Sequence, residues 1–300
     1  MQDRGATTHS IRHLPPAPGL ESFVRCYGQR DARIRDTEVV HPIYARAAAL
    51  LEFIFGDRIT VTYCDGRPAR QSPTSVLVGM QTGRRGLLHI RGTVDCFVIL
   101  FQPSALHRLF SLPMSELTDA DFEAQAVLGP AIAGLERRLS DCRSFEERVS
   151  VANQFLLRRA LAMGALDGVA AAANLIIREG GGRIPALADR AGLSLRQFER
   201  RFVEQVGMSP KLLSRIARFE ATLDLMARSP ARTWTDVAHY FGYYDHMHMV
   251  HEFAEFTGET PTSTLHNLQS VFPEQIAEMR STDRSPKKRL DTRSDARLIL

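Results

Sequence analysis

The chain has 300 residues, enough for two domains of ordinary size. With 44% hydrophobic and 24% charged residues it has the composition of a globular protein able to bury a core, which excludes wholesale disorder. A formal net charge of +4 leans toward an anionic partner but decides nothing alone.

The opening MQDRGATTHS is polar and runs into the Pro-rich LPPAPG, without the apolar stretch of a secretory leader. The strongest apolar run, Phe97 to Phe101, has the length of a strand rather than a membrane span. Cys26, Cys64, Cys96 and Cys142 form no CxxC pair and have no histidine beside them at zinc-ligand spacing. These features predict a cytoplasmic protein with reduced thiols, no metal, no cofactor and no membrane contact.

From Ala47 to about Phe101 the pattern is strand-like: ALLEFIFGD, RITVTYCDGR, SVLVGMQ, GLLHIRG and VDCFVILFQP, separated by Gly, Asp, Arg or Pro. Short runs joined by brief turns predict about five antiparallel strands in a sandwich or small barrel, since a parallel sheet needs helical crossovers. After Pro103 the period becomes helical. Leu106, Leu109 and Phe110 share one face; Ile132, Leu135 and Leu139 a second; Phe145, Val149, Val151, Phe155 and Leu156 a third. Another helix begins near Asp167, carries Val169, Ala172, Leu175 and Ile176, and breaks at Gly180-Gly181-Gly182. The stretch RSTDRSPKKRLDTRSDAR has no apolar period and reads as disordered. The organisation expected is an α+β chain: residues 1–163 as an antiparallel β domain with helices, 164–265 all helical, and 266–300 a tail.

Within the helical part the sequence repeats. ALADRAGLSLRQFERRFVEQVGMSP, from Ala186 to Pro210, aligns with DVAHYFGYYDHMHMVHEFAEFTGETP, from Asp236 to Pro261. Ala188 matches Ala238 and Gly192 matches Gly242; Phe198, Phe202, Gly207 and Pro210 match Met249, Phe253, Gly258 and Pro261 after one extra residue in the second turn. The alanines let two helices approach, and the glycines supply the positive φ of a tight turn. Ser194 and Asp245 are N-caps, the i,i+4 apolar pairs bury one stripe, and Gly207 and Gly258 close the helices before a proline opens the next. Helix, Gly-centred turn, helix is the helix-turn-helix arrangement, whose second helix enters the major groove. One copy is as compatible with a plain helical hairpin; two copies with matched cap, turn and core favour DNA.

The residues GLSLRQFERRF, VGMSP, RIARF and GYYD, followed by His248, Phe253, Gly258 and Pro261, resemble the DNA-binding domain of the AraC/XylS family of transcription regulators. Less specifically, HPIYARAAALLEFIFGD and FQPSALHRLFSLPMSELTDADF resemble the sensory half of a subgroup of that family. The resemblance implies a cupin-like effector or dimerisation module in front, a two-unit DNA reader behind, and no enzymatic activity. It further implies double-stranded DNA as partner, with RNA polymerase and a small-molecule effector as further partners, and a monomer or homodimer as the working state.

With Leu195, Phe198 and Phe202 turned inward, the first recognition helix presents Arg196, Gln197, Glu199, Arg200 and Val203 to the groove. Arginine suits a bidentate contact with guanine, so Arg196 and Arg200 lead; Glu199 suits cytosine N4 or an ion pair on its own helix equally well. The second recognition helix presents His246, Met247, Val250 and His251. Arg215 and Arg218, on the connecting helix, serve either as phosphate contacts or as that helix's solvated charges. Of His246, His248 and His251 only the last two are near neighbours on a helix, and no carboxylate or cysteine completes a metal site at the usual spacing.

The two units differ sharply in charge. Residues 183–218 hold eight Lys/Arg against three Asp/Glu, for +5, whereas residues 219–265 hold two against seven, for −5. Because phosphate neutralisation supplies much of DNA affinity, the first unit is expected to anchor the protein and the second to add weak or shape-dependent contacts. In the front half, Glu52 and Phe53 are either pocket-lining or structural; no paired-His cluster, GxSxG or phosphate-cradling loop is present. Two other classes stay open at this stage: a cupin-type enzyme with an accessory helical part, and a protein-binding adaptor.

Overall fold

The computed structural model of the chain describes residues 8–271. Its sheet strands are β1 (Thr8–Leu14), β2 (Val24–Ile43), β3 (Leu50–Ile54), β4 (Thr60–Tyr63), β5 (Arg70–Gln71), β6 (Ser75–Val78) and β7 (Gly86–Phe101). Short helices α1 (Ala105–Phe110) and α2 (Met114–Leu117) precede β8 (Asp121–Glu123), followed by α3 (Ala124–Leu128), α4 (Ala131–Ser140) and α5 (Phe145–Ala160). Seven helices complete the described chain: α6 (Gly168–Glu179), α7 (Ile184–Arg190), α8 (Leu195–Val206), α9 (Pro210–Arg228), α10 (Trp234–Tyr240), α11 (His246–Thr257) and α12 (Pro261–Val271). The fold is α+β, with an antiparallel sheet in front and helices behind.

The strands run β1-β2-β7-β3-β6-β8, every neighbour antiparallel, with β4 against β7 and β5 against β4. Two features depart from the sequence expectation. First, β1 and β2 lie upstream of Ala47, where no strands were expected. Alternation is present in β2, with Ala32 and Ile34 buried and Arg33 and Arg35 exposed, but the charged outward face masks it. Second, GLLHIRG and VDCFVILFQP are one strand, β7. Gly92 makes this possible: its φ of +71° bends the strand, and a Cβ there would lie 2.1 Å from Asp57 Oδ2.

Alternation sorts the sheet's side chains onto two faces. Tyr27, Leu51, Phe53, Leu77, Phe97, Ile99 and Phe101 face the helices, with Tyr27 stacked on Phe97 and Phe145 of α5 edge-on to it. Ile54, Val76, Cys96, Val98 and Leu100 lie on the other face. Burial pushes the Cys96 thiol well above its usual value. Glu52 and Phe53 therefore part company: Phe53 packs in the helix-side core, while Glu52 lies 3.7 Å from Arg30 on the opposite side.

Helix α5 is fixed to the sheet by Arg148, whose guanidinium donates to Asp95 Oδ2 at 3.0 Å and Gln29 Oε1 at 2.9 Å. The helix-side core continues without a break from Phe97 through Leu117 to Phe198, Phe219 and Phe253, so the sheet and the helical part share one apolar interior. At the C-terminal end α12 extends to Val271, five residues past His266, where the sequence reads as tail; residues 272–300 lie outside the described residues.

Arg148→Met keeps most of the side-chain volume but takes from Asp95 its charged partner, leaving it only the Gln29 amide, and from Gln29 Oε1 its donor. It should destabilise the protein by about 3 kcal/mol, the usual cost of breaking a largely buried pair. Urea unfolding monitored by circular dichroism measures this, and an unmoved midpoint would show that the pair contributes nothing.

Candidate nucleic-acid interface

In the first unit, α7 and α8 meet at Gly192, whose φ of +67° takes the chain round the turn. Ser194 caps α8 by accepting from the Gln197 N–H, while Gln197 Oε1 accepts from the Ser194 N–H and hydroxyl, a complete capping box. Phe198 and Phe202 are fully buried and Val206 continues their stripe, as the spacing predicts. The helix closes at Gly207 with φ of +90°.

Arg196, Gln197, Glu199 and Arg200 are all exposed on α8. Neither Arg196 nor Arg200 is paired with another described residue, and Glu199 does not take up the ion pair its spacing allowed. Gln197 is different, because its carbonyl is spent on the cap; its amide group alone remains for a ligand. Leu195, expected inside, is 45% exposed. It is the first helical residue and sits on the outward side of the stripe that Glu199 and Val203 continue, an i,i+4,i+8 row beside the two arginines.

The second unit repeats this construction. Gly242 has φ of +70°, Asp245 caps α11 through the His248 N–H at 2.7 Å, and Met249 and Phe253 are fully buried. Trp234 of α10 packs edge-on against Phe253. Gly258 ends α11 with φ of +73°, and Pro261 opens α12. On the outward face His251 is exposed, Met247 is 54% exposed, and His246 and Val250 are half-buried. Tyr244, 88% exposed beside the cap, escaped the sequence reading. In GYYD the staple position before the cap is Tyr244, yet the fold turns Tyr243 inside instead, its phenol pushed up to about 12 by burial.

The connecting helix holds the main departure. Arg215 Nε donates to Glu252 at 2.8 Å, and its terminal nitrogens make a fork on Glu255. Arg218 donates to the same Glu252 oxygen at 2.7 Å and lies over the Tyr243 ring. Donation to Glu255, and also to Glu252, holds the Arg215 guanidinium above its ordinary range despite partial desolvation. Glu252 is only 3% exposed. The two arginines thus form a bridge from α9 to the acidic side of α11 rather than an open row of solvated charges. Charge counting showed the acids and the bases but not that they face one another.

Residues 187–267 match the family described as Helix-turn-helix domain, and residues 12–123 match a Domain of unknown function (DUF6597). Among solved structures, the chain is similar to ToxT from Vibrio cholerae, at 11% identity over 87% of this chain and 98% of that one, with a TM-score of 0.46. An unsaturated-fatty-acid-bound form of wild-type ToxT from V. cholerae strain SCE256 aligns at 11% identity over 90% and 99% of the chains, TM-score 0.42. The AraC-like transcriptional activator CuxR aligns at 9% identity over 94% and 90%, TM-score 0.29. No curated protein matches the sequence.

Glu255→Gln removes one of the charges that occupy Arg215. On a random-sequence duplex, the slope of log affinity against log salt should then steepen by about one phosphate equivalent, roughly 0.9. Fluorescence anisotropy at a series of salt concentrations reads this directly; an unchanged slope means that Arg215 reaches no phosphate even when released.

Proposed function

We propose that the chain is a DNA-binding transcription regulator of the AraC/XylS type, and that its two helix-turn-helix units share the work on DNA unequally. The observation that carries this is the contrast between two sets of arginines. Arg196 and Arg200 stand exposed and unpaired among the described residues on a capped, rigidly packed helix. Arg215 and Arg218 are committed to Glu252 and Glu255.

In this reading α8 anchors the protein in the major groove. Arg196 and Arg200 make bidentate contacts to guanine, Glu199 and the Gln197 amide accept from or donate to neighbouring bases, and Leu195 and Val203 pack on thymine methyls. The second unit contributes His246, Met247, Val250 and His251, with Tyr244 beside them, to contacts that depend on shape and apolar surface. Arg215 and Arg218 act as internal partners of α11 first and as phosphate ligands second.

The protein acts in the cytoplasm, as a monomer or homodimer, without catalysing a reaction, and RNA polymerase is the machinery it influences. Its four free cysteines suit a reducing compartment. A small-molecule effector would meet the sheet face that carries Arg30 and Glu52, a pair able to hold a polar ligand through charge-assisted hydrogen bonds.

Duplexes recovered from a random pool by the purified protein supply the target. Against that target at fixed salt, Arg196→Ala and Arg200→Ala should each cost about 1–3 kcal/mol and relax the sequence preference at one position. His251→Ala should change affinity by less than about threefold, since a single neutral contact on a weakly held unit contributes little. Equal losses at all three positions would refute the unequal division.

A further inference from the structure

We propose that the sheet domain sets the separation and relative orientation of the two recognition helices, and thereby the half-site spacing the protein accepts. The proposal rests on both units meeting DNA, as argued above, and adds what holds them in register.

Three ties carry it, each ending on a different helix of the DNA-binding part. The first is Glu220, on the connecting helix α9. Its side chain is 4% exposed, its Oε1 accepts from the Ala47 N–H at 2.8 Å, and its Oε2 lies 3.9 Å from Arg25 Nη1 on β2. The second engages the C-terminal end of α11. The Ala45 N–H donates to the carbonyl of Phe256 at 3.2 Å, one of the last-turn carbonyls a helix cannot satisfy itself. Close by, the Tyr44 hydroxyl donates to Glu259 Oε2 at 2.9 Å, an oxygen that also accepts from Asn267 of α12. The third holds the C-terminal end of α8: the Thr118 hydroxyl donates to Gly207 O at 2.9 Å. Gly207 is seated so closely that a Cβ there would come within 2.4 Å of Met114 O.

The arrangement has a common sense. Both recognition helices are gripped by the sheet domain at their C-terminal ends, leaving their N-terminal turns free, and those turns are where base contacts begin. The segment Tyr44–Ala47 alone touches α9, the end of α11 and Glu259. The connecting helix α9 joins the two units, and Arg215 and Arg218 tie it to α11. Ties to α8, α9 and α11 from the sheet domain, through the Tyr44–Ala47 segment and the cap of α2, together with the shared apolar core, add to that hold. On B-form DNA each added base pair displaces a half-site by about 3.4 Å and rotates it by about 34°. A rigid reader discriminates against such steps, and a loosened one tolerates them.

The test uses the full chain and duplexes carrying both selected half-sites at the selected spacing, at one and two base pairs more or fewer, and with the first half-site alone. Wild-type protein should lose tenfold or more in affinity for each single-base-pair change. The double variant Tyr44→Phe/Thr118→Val leaves every DNA-facing residue untouched. It should flatten the profile to under threefold while binding the lone first half-site within twofold of wild type. Glu220→Gln, which keeps the shape but removes the charge, should flatten it in the same direction, with thermal melting confirming that each variant is folded. Variants that keep the steep profile overturn the proposal, as does a loss of lone half-site binding in step with the rest. A wild-type profile that is already flat sinks this inference but leaves the role of Arg196 and Arg200 standing; absence of binding to every duplex sinks the functional reading itself.

Discussion

A charge taken out of water must meet a partner, and the connecting helix α9 is where this constraint is strongest. Leu213, Ile216, Ala217, Phe219, Ala221, Leu223 and Met226 bury it on most sides, yet it also carries Glu220 and Asp224, both nearly inaccessible. An uncompensated buried carboxylate costs several kcal/mol, so the surroundings are obliged to supply cations. Glu220 has Arg25 of the sheet, and Asp224 accepts from Arg228 one turn on. Glu252, buried on α11, draws Arg215 and Arg218 from α9. The Glu220 pair fixes α9 to the sheet domain and the Glu252 pairs fix it to α11, while the Asp224–Arg228 pair is satisfied within α9 itself. The sheet, the connecting helix and the second recognition helix are therefore held in one arrangement by charge satisfaction as well as by apolar packing.

The same constraint decides which cations remain for an external anion. Arginines near buried carboxylates are drawn into the protein, and a DNA phosphate has to compete with a partner already desolvated and well aligned. Those on α8 have no such neighbour, because that helix buries only apolar side chains: Phe198, Phe202 and Val206. Exposure of Arg196 and Arg200 is thus a consequence of how the first unit is packed, and engagement of Arg215 and Arg218 a consequence of how the second is. Counting charges along the chain finds the asymmetry between the units but not that part of it is cancelled across the α9–α11 contact.

Legibility in the sequence followed the range of the interactions involved. The repeat, its caps, its turn glycines and its buried stripes were readable because each depends on residues within about one helical turn, and the fold places Ser194, Gly192, Asp245 and Gly242 in those roles. The helices α1, α4, α5 and α6 were readable for the same reason. What escaped depends on distant chain. Strand β2 hides its alternation behind Arg33 and Arg35, and β7 is one strand only because Asp57 meets it at Gly92. Leu195 looks like core by its chemistry and lies outward because the stripe begins at Phe198. The bridges from Arg215 and Arg218 span 34 to 40 residues, and no local pattern announces them.

The proposed inequality of the two units would have a consequence for selectivity. Sequence-independent attraction to DNA scales with the phosphates a protein neutralises, and here the excess of +5 in residues 183–218 supplies it. Residues 219–265, at −5 and with their nearby arginines engaged, gain little from phosphate and are repelled by a poorly matched duplex. On the proposed reading such a unit would settle only where contacts from exposed groups such as Tyr244, Met247 and His251 with base edges and methyls outweigh that repulsion. It therefore adds almost nothing on random DNA and something on the correct site. On that reading acidity in the second unit would lower total affinity but non-specific affinity more, and the ratio of the two is what selects one site among a genome's competitors.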